Sequence, residues 1–588
     1  MEPRDGSDRS AGWLPRAGAY LPGLVVARRY RRAWLRHDLA AGLALTGILV
    51  PAGMAYAEAS GLPAITGLYA TIVPLLAYAL LGPSRLLMLG PDSSLVPLVL
   101  AALAPFAALA PAAALPAAAA LAVLVGLIIA VAGVARLGFR ADLLSSPARV
   151  GFLAGIAVII LAAQLPRLFG FSVPGDGPVA RFGGFIEGVL AGRTDPVALA
   201  VGLASLVTIL VVRVVRPALP GVLLAVAGAT LVSALLDLAT RTGIAVVGPL
   251  PQGLPAFSPP ALSATELAGL VPAALGIALV TAADTVLLAR TFGARHREPT
   301  EPNRELVALG IANVATGLLS GYPVSSSASR TAVAEASGIR TQLAGAIGAG
   351  AIVLLITVAP GLLAALPMAA LAAVVIAAAI GIADPGAFLR LWRVRPGELF
   401  LALAAFLGVV VLGVIEGIFL AVVLSLLAFL RRAWWPHDAV LGRATGVKGY
   451  HDLHFYPDAK RIPGLVLYRF DAPILFFNAE AFRERVLEQV RRTEPRARWV
   501  VIAAEPITDV DTTAAEALDG LIGELRALGV TLAFAELKDP VKARLRRYGT
   551  MAGIGEDRCF PTVGTAVDAY LAATGETWVD WEDAAPAG

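Results

Sequence analysis

Gly321-Tyr322-Pro323-Val324-Ser325-Ser326-Ser327-Ala328-Ser329-Arg330 interrupts a long series of apolar segments with a proline, four serines and an arginine. A shorter break, Gly90-Pro91-Asp92-Ser93-Ser94, stands in the first half of the chain. A broken helix leaves free N–H groups at lipid depth, which is tolerated only where the break lines a protein cavity. Paired breaks, one in each half of a polytopic protein, point to a solute site between two half-helices. Their N-termini are expected to face each other, and opposed positive dipole ends favour an anion. The expected substrate-binding residues are Ser93, Ser94, Ser327, Ala328, Ser329 and Arg330.

Composition agrees with a membrane setting. The 588 residues are 57% hydrophobic and 15% charged, with a mean hydropathy of +0.76, values that exclude an ordinary soluble enzyme. Charges crowd the first forty residues and everything after Trp434, so a soluble C-terminal domain is expected. The net charge of +4 does not imply nucleic acid, because the excess arginine flanks membrane segments, where topology explains it. Cys559 is the only cysteine, which rules out an intrachain disulfide, a thiolate zinc site and an iron–sulfur cluster. The five histidines, His37, His296, His437, His451 and His454, fall in polar flanks and suggest neither a membrane proton relay nor a metal site. No cleavable signal peptide is expected, since the N-terminus is polar and arginine-rich. Gly345-Ala346-Ile347-Gly348-Ala349-Gly350 lacks the Lys-Ser/Thr of a nucleotide loop and reads as helix packing. With no ATPase signature, transport is expected to be passive or driven by an ion gradient.

Apolar runs give fourteen segments, near 39–57, 64–82, 91–106, 116–135, 149–166, 197–215, 218–236, 266–289, 304–320, 326–338, 340–358, 365–383, 398–413 and 415–431. With the N-terminus inside, the inner loops collect Arg85, Arg136, Arg140, Arg149, Arg213, Arg216, Arg290 and others, while the outer loops keep only Arg167, Arg181, Arg193 and Arg241. That asymmetry predicts both termini in the cytoplasm. Short spans at the third and tenth positions divide the set into seven plus seven, and an odd number per set inverts the second relative to the first. The expected fold is a polytopic α-helical membrane protein with fourteen spans as 7+7 inverted repeats and two half-helices. Gly151-Phe152-Leu153-Ala154-Gly155 fits a small-xxx-small packing face.

After Trp435 the pattern changes to soluble α/β. Strands are expected at 465–470, 474–477, 499–503 and 531–534, and helices at 513–528 and 540–548. Thr513 and Glu516 have capping-box spacing, and Asp539-Pro540 supplies an N-cap with an N1 proline. The expected domains are a cytoplasmic segment 1–38, a transport domain 39–432 and a soluble module 445–575.

Asp38-Leu39-Ala40-Ala41-Gly42-Leu43, Gly53-Met54-Ala55-Tyr56-Ala57, Pro302-Asn303-Arg304-Glu305-Leu306, Ser329-Arg330-Thr331-Ala332-Val333 and Arg340-Thr341-Gln342-Leu343-Ala344-Gly345 together resemble the SulP family of anion transporters, also called sulfate permeases. The tail, from Ile462-Pro463-Gly464 through Phe477-Asn478-Ala479-Glu480, resembles that family's cytoplasmic STAS domain, a fold shared with anti-sigma-factor antagonists. The resemblance implies a seven-plus-seven membrane domain, a homodimer, and sulfate, bicarbonate or dicarboxylates as substrate classes. Two departures stand out. Ala52 follows Pro51 where family members often have glutamine, and Asp284 stands where glutamate is usual. Asp511-Thr512-Thr513 falls where the antagonists carry a phosphorylated serine, so Thr512 is either a switch or part of a cap.

Arg330 is read as an anion ligand, the alternative being an ion pair with Asp284 or Glu335. Asp284, an isolated carboxylate in an apolar helix, is read as the group coupling transport to H+ or Na+, the alternative being a fixed partner of Arg330. Serines at the breaks either bind solute or cap helices, and Asp92 reads as a cap. Tyr56, Tyr69 and Tyr322 line the cavity or anchor at the interface. The sequence is thus read as a secondary anion transporter of the bacterial inner membrane, a proton- or sodium-coupled symporter with elevator-like movement. Its rivals are an uncoupled channel or exchanger and a membrane-anchored signalling scaffold whose soluble module binds a cytoplasmic protein partner. Membrane lipid and a small anion are the expected partners.

Overall fold

The structure, a computed structural model, describes residues 21–139, 145–173, 177–216 and 219–578. The first twenty residues and Arg140 therefore lie outside the described residues. The chain divides into two compact units, Met1–Ser425 and Leu426–Gly588.

The first unit is helical. In chain order its principal elements are α1 (Pro22–Arg28), α2 (Arg32–Ala59), α3 (Ala64–Leu81), β1 (Leu89–Gly90), α4 (Val96–Leu109), α5 (Ala114–Val134), α6 (Ser146–Leu168), α7 (Pro178–Leu190), α8 (Pro196–Val215), α9 (Gly221–Leu235), α10 (Ala264–His296) and α11 (Pro302–Leu318). They continue as β2 (Ser325–Ser326), α12 (Ala328–Ala336), α13 (Leu343–Val358), α14 (Met368–Ile382), α15 (Pro385–Val394), α16 (Pro396–Leu412) and α17 (Val414–Trp434), whose last turns belong to the second unit. Each of the fourteen apolar segments carries a helix. Eight stretches among the described residues are long and apolar enough to cross a membrane by length and composition, Met368–Val394 counted as one, and four shorter apolar helices accompany them. Three of the principal helices lie outside the expected set: α1 precedes the first segment, and α7 and α15 link neighbouring segments.

Local chemistry sets the boundaries. Ser263 and Glu266 form a complete capping box at the start of α10. Asp195 accepts from the backbone of Val197 at 2.8 Å and Ala198 at 3.1 Å, and Pro196 opens α8. Two packed groups result. In one, α2, α3, α5, α10, α11 and α13 wrap each other; in the other, α6 packs with α14 and α16 while α8 packs with α9 and α14. Small residues permit the closest approaches. A Cβ on Gly126 would lie 2.5 Å from the Gly310 carbonyl oxygen, joining α5 to α11. One on Gly151 would lie 1.9 Å from the Ala402 oxygen, so the small-residue face read from the sequence does meet α16. By contrast, α8 and α17 bury only 22% and 28% of their apolar windows. Such surface would be a liability in water and is lipid contact in a bilayer.

The second unit is a mixed sheet of order β4-β3-β5-β6-β7-β8, built from β3 (Asp438–Arg443), β4 (Tyr450–Asp452), β5 (Leu465–Phe470), β6 (Trp499–Ala503), β7 (Thr531–Ala535) and β8 (Cys559–Phe560). Strands β5 to β8 run parallel, and β3 is antiparallel to both β4 and β5. One face packs on α18 (Ala479–Arg492), α19 (Thr512–Ala527) and α20 (Asp539–Tyr548), the other on α21 (Val563–Thr574). The sheet begins at Asp438, ahead of residue 445.

Two sequence expectations fail here. Residues 474–477 are not a strand: Ile474 makes a single bridge to Val510 and a turn follows. Asn478 causes this, because its Oδ1 accepts from Leu475 N at 2.8 Å and its Nδ2 donates to the Pro473 carbonyl at 3.1 Å, closing the turn that opens α18. Thr513 and Glu516 form no capping box. Asp511 is the N-cap, accepting from Ala514 N at 2.8 Å through Oδ1 and from Phe476 N at 2.8 Å through Oδ2. A carboxylate fixed by two backbone donors outcompetes a threonine two residues later. A smaller shift affects Asp539, which is the first residue of α20 while Lys538 occupies the N-cap.

Candidate functional site

The two helix breaks meet. β1 and β2 pair antiparallel with Leu89 opposite Ser326 and Gly90 opposite Ser325, and the Ser327 amide donates to the Met88 carbonyl at 3.1 Å. Side chains extend the junction. The Met88 amide donates to Thr331 Oγ1 at 3.2 Å, and Ser326 Oγ and Thr285 Oγ1 lie 2.8 Å apart. Asn313 on α11 clamps the approach to β2 through both amide atoms, receiving Val324 N at 2.9 Å and donating to the Val324 carbonyl at 3.0 Å. Backbone groups of Met88, Val324 and Ser327 and of the paired strands are thereby met by the other break or by a neighbouring polar side chain.

Two helices start from this junction. Ser327 is the N-cap of α12 with no capping hydrogen bond from its side chain, and Arg330 falls in the first turn. On the other side Asp92 Oδ1 accepts from Ser94 N at 3.0 Å and from Ser94 Oγ at 2.7 Å, ahead of α4. Asp92 therefore closes a turn and does not cap α4, whose N-cap is Leu95 with no side-chain cap, and it occupies one of the two serine hydroxyls expected to meet solute.

Arg330 is 3% exposed, and none of its three guanidinium nitrogens has a hydrogen-bond partner. The ion pair with Glu335 is not formed, since that carboxylate takes His296 Nε2 at 2.6 Å and Arg295 at 3.5 Å. Nor does Asp284 pair with Arg330 in the described contacts. The groups whose fields reach Arg330 are Asp92, Tyr56 and Tyr322. The Tyr322 hydroxyl and the Ser325 hydroxyl are also buried without partners. Each unmet polar group costs about 1–3 kcal/mol, more when charged. Five N–H-bearing and hydroxyl groups that lack protein acceptors, gathered at a helix N-terminus, form a donor set for an anion.

The remaining expected residues distribute around this centre. Ser93 is buried beside Tyr56. Ala328 and Ser329 are exposed in the first turn of α12, with Ser329 Oγ 3.1 Å from Ser327 Oγ. Asp284 is half-buried on α10, one residue before Thr285, and the charges that act on it are Asp92 and Arg149. Tyr69 turns aside to donate to the Gly253 carbonyl at 3.4 Å. Thr512, far from this centre in sequence, is the exposed first residue of α19. Sequence reading missed the roles of Thr285, Asn313 and Thr331, whose signal was present: Asn313 is an uncharged polar residue isolated in an apolar stretch, while Thr285 and Thr331 directly follow the singled-out Asp284 and Arg330. It also missed Met88, which contributes through its backbone, and it named Gly90 only as the start of the break, not for the space it leaves beside Arg330, properties that residue type does not announce.

Two half-helices crossing at a short antiparallel bridge within a polytopic helical unit, followed by a soluble α/β unit, define the membrane-transporter class. Residues 35–405 match the sulfate permease family and residues 456–566 match the STAS domain; the chain belongs to the sulfate permease family and carries a C-terminal STAS domain. It is 45% identical to "Probable sulfate transporter MT1781" of Mycobacterium tuberculosis over 95% of this chain and 98% of that protein. It is 31% identical to the chloroplastic sulfate transporter 4.1 of Arabidopsis thaliana, covering 92% and 81%. Among solved structures, the murine Solute Carrier 26 family member A9 anion transporter in the inward-facing state shares the fold, with a TM-score of 0.86 at 23% identity over 96% of this chain and 97% of that one. The transmembrane domain of the cyanobacterial bicarbonate transporter BicA matches 68% of this chain and 98% of its own, with 26% identity and a TM-score of 0.57. These relatives are transporters, not enzymes.

Proposed function

We propose that the protein is a secondary transporter of small anions, with sulfate the first substrate to test and bicarbonate and dicarboxylates the next. The observation that carries this reading is the buried, unpartnered Arg330 guanidinium at the bridge between two helix breaks. The names of the most similar relatives favour sulfate. Ser93, Ser94, Ser327, Ala328, Ser329 and Arg330 form the binding region, with α4 and α12 directing their N-termini at the anion.

Asp284 is the coupling group in this proposal, taking up a proton or Na+ as the anion binds. Its lack of an ion pair with Arg330 leaves the carboxylate available to a coupling cation. The membrane domain, residues 39–432, crosses the bilayer fourteen times as two inverted sets of seven, with both termini in the cytoplasm. The group that carries the breaks moves elevator-like against the group built on α6, α14 and α16. The protein works as a homodimer in a bacterial inner membrane, and the STAS module, residues 445–575, offers a cytoplasmic partner a docking domain. Uptake of labelled sulfate, bicarbonate and succinate into proteoliposomes under imposed proton and sodium gradients tests the reading. Saturable, gradient-driven uptake of one of them is expected, and gradient-independent flux of all three overturns coupling.

A further inference from the structure

A second cavity lies away from the helix breaks. It has a volume of about 140 Å³ and is lined by Ala59, Leu100, Gln164, Arg167, Ser172 and Arg181 among others. Gln164 is 3% exposed and makes no hydrogen bond among the described contacts, so its amide is a buried polar group turned to the cavity. Arg167 Nη1 donates to the Glu58 backbone carbonyl at 3.0 Å, which fixes the guanidinium at the wall. Arg167 and Arg181 act on each other as like charges, and the Glu58 carboxylate, which acts on Arg167 as the opposite charge, is not among the lining residues. Two arginines and a primary amide thus surround a space of several waters, by the ~30 Å³ share of one water, which suits a small anion with part of its hydration.

The walls connect this cavity to the first site. Leu100 lies four residues beyond Val96, the first residue of α4, roughly 6 Å by helical rise, and Ser94 stands two residues ahead of that helix. Ala59 lies one turn beyond Tyr56 on α2. The opposite wall, from Gln164 to Arg167, belongs to α6 in the other packed group.

We propose that this cavity is a second binding site for a small inorganic anion, which holds the ion between the two helix groups on the approach to Arg330. It rests on the anion-transport reading only for the choice of probe.

Equilibrium binding of labelled inorganic sulfate to purified full-length protein in nanodiscs tests it, with thermal unfolding recorded for every variant. Wild type is expected to saturate at two anions per chain, and Arg330→Gln and the double variant Arg167→Gln/Arg181→Gln at one each. Gln164→Leu, which changes no charge, is expected to weaken the second site at least fivefold while remaining folded. Saturation of wild type at one anion that Arg330→Gln abolishes, with the double variant unchanged, overturns the second site. So does the absence, for sulfate, bicarbonate and chloride alike, of any binding that depends on Arg167, Arg181 or Gln164. Binding that survives Arg330→Gln in full overturns the transport-site reading instead.

Discussion

Gly90 and Arg330 are in contact across the two helix breaks: a Cβ built on Gly90 would stand 3.1 Å from Arg330 Nη1. Gly90 also has φ of +151°, a backbone conformation that L side chains rarely adopt. Gly90→Ala is therefore expected to displace the guanidinium as well as strain the strand. Anion affinity should fall about tenfold or more, and stability should fall by more than ~1 kcal/mol. Sulfate uptake kinetics and thermal unfolding of the same preparation check both; unchanged KM with lowered stability would limit Gly90 to a structural part.

Arg330 itself is expected to show the opposite balance. A charge buried without partners costs several kcal/mol, so Arg330→Met should unfold no earlier than wild type in anion-free buffer. Wild type should then gain more stability from anion than the variant, by on the order of 2.7 kcal/mol at a hundredfold excess over the Kd of the Arg330 site. Thermal unfolding across a sulfate titration measures this. A variant that still shifts with sulfate as wild type does removes Arg330 from the site.

Asp284→Asn is expected to leave anion exchange intact while abolishing concentrative uptake, since it removes the proposed cation ligand and keeps the shape. Counterflow and gradient-driven uptake in matched proteoliposomes separate the two. Accumulation against a gradient by the variant would make Asp284 structural.

In the STAS domain, the Tyr468 hydroxyl is buried and donates to Asp438 Oδ2 at 2.7 Å. Burial first, then the hydrogen bond and charge of Asp438, raise its pKa above the ordinary tyrosine value of 10.0. The folded state thus keeps a proton that the unfolded state releases. The stabilisation is complete below about pH 10 and declines above it, with a limiting slope of about 1.4 kcal/mol per pH unit. Unfolding of the separately expressed tail, started ahead of Asp438 so that it keeps β3, should show this decline between about pH 8 and 11, and Tyr468→Phe should flatten it.

The corrected cap in the same domain makes a sharp contrast. Asp511→Ala should cost about 1 kcal/mol or more, because both the Ala514 and Phe476 amides lose their acceptor. Thr513→Ala and Glu516→Ala should be close to neutral. Urea denaturation of the tail distinguishes them, and a cost at Thr513 equal to that at Asp511 would restore the capping-box reading.

What the sequence disclosed followed from residue type. Apolar length revealed the helices, the serine-rich breaks revealed α12 and α4, and an arginine among apolar segments revealed Arg330. What it hid depended on partners distant in the chain. Nothing local to Asn478 says whether 474–477 extends or turns. Nothing in Glu335 says that it prefers His296 over Arg330, because that choice depends on where the ends of α10 and α12 come to rest. Asp511 and Thr513 are both good caps by type, and only the position of Phe476 decides between them.

The bridge between β1 and β2 also bears on how the protein is made. Gly90 finds its pairing partner Ser325 about 235 residues further along the chain. At a synthesis rate of about 5–20 residues per second, the first break waits on the order of ten seconds or longer before its backbone groups are met. During that interval the nascent chain holds an unpaired, polar break ahead of the apolar α4 at the membrane. The insertion machinery, or water retained beside the emerging helices, has to shelter that segment until the second half of the protein arrives.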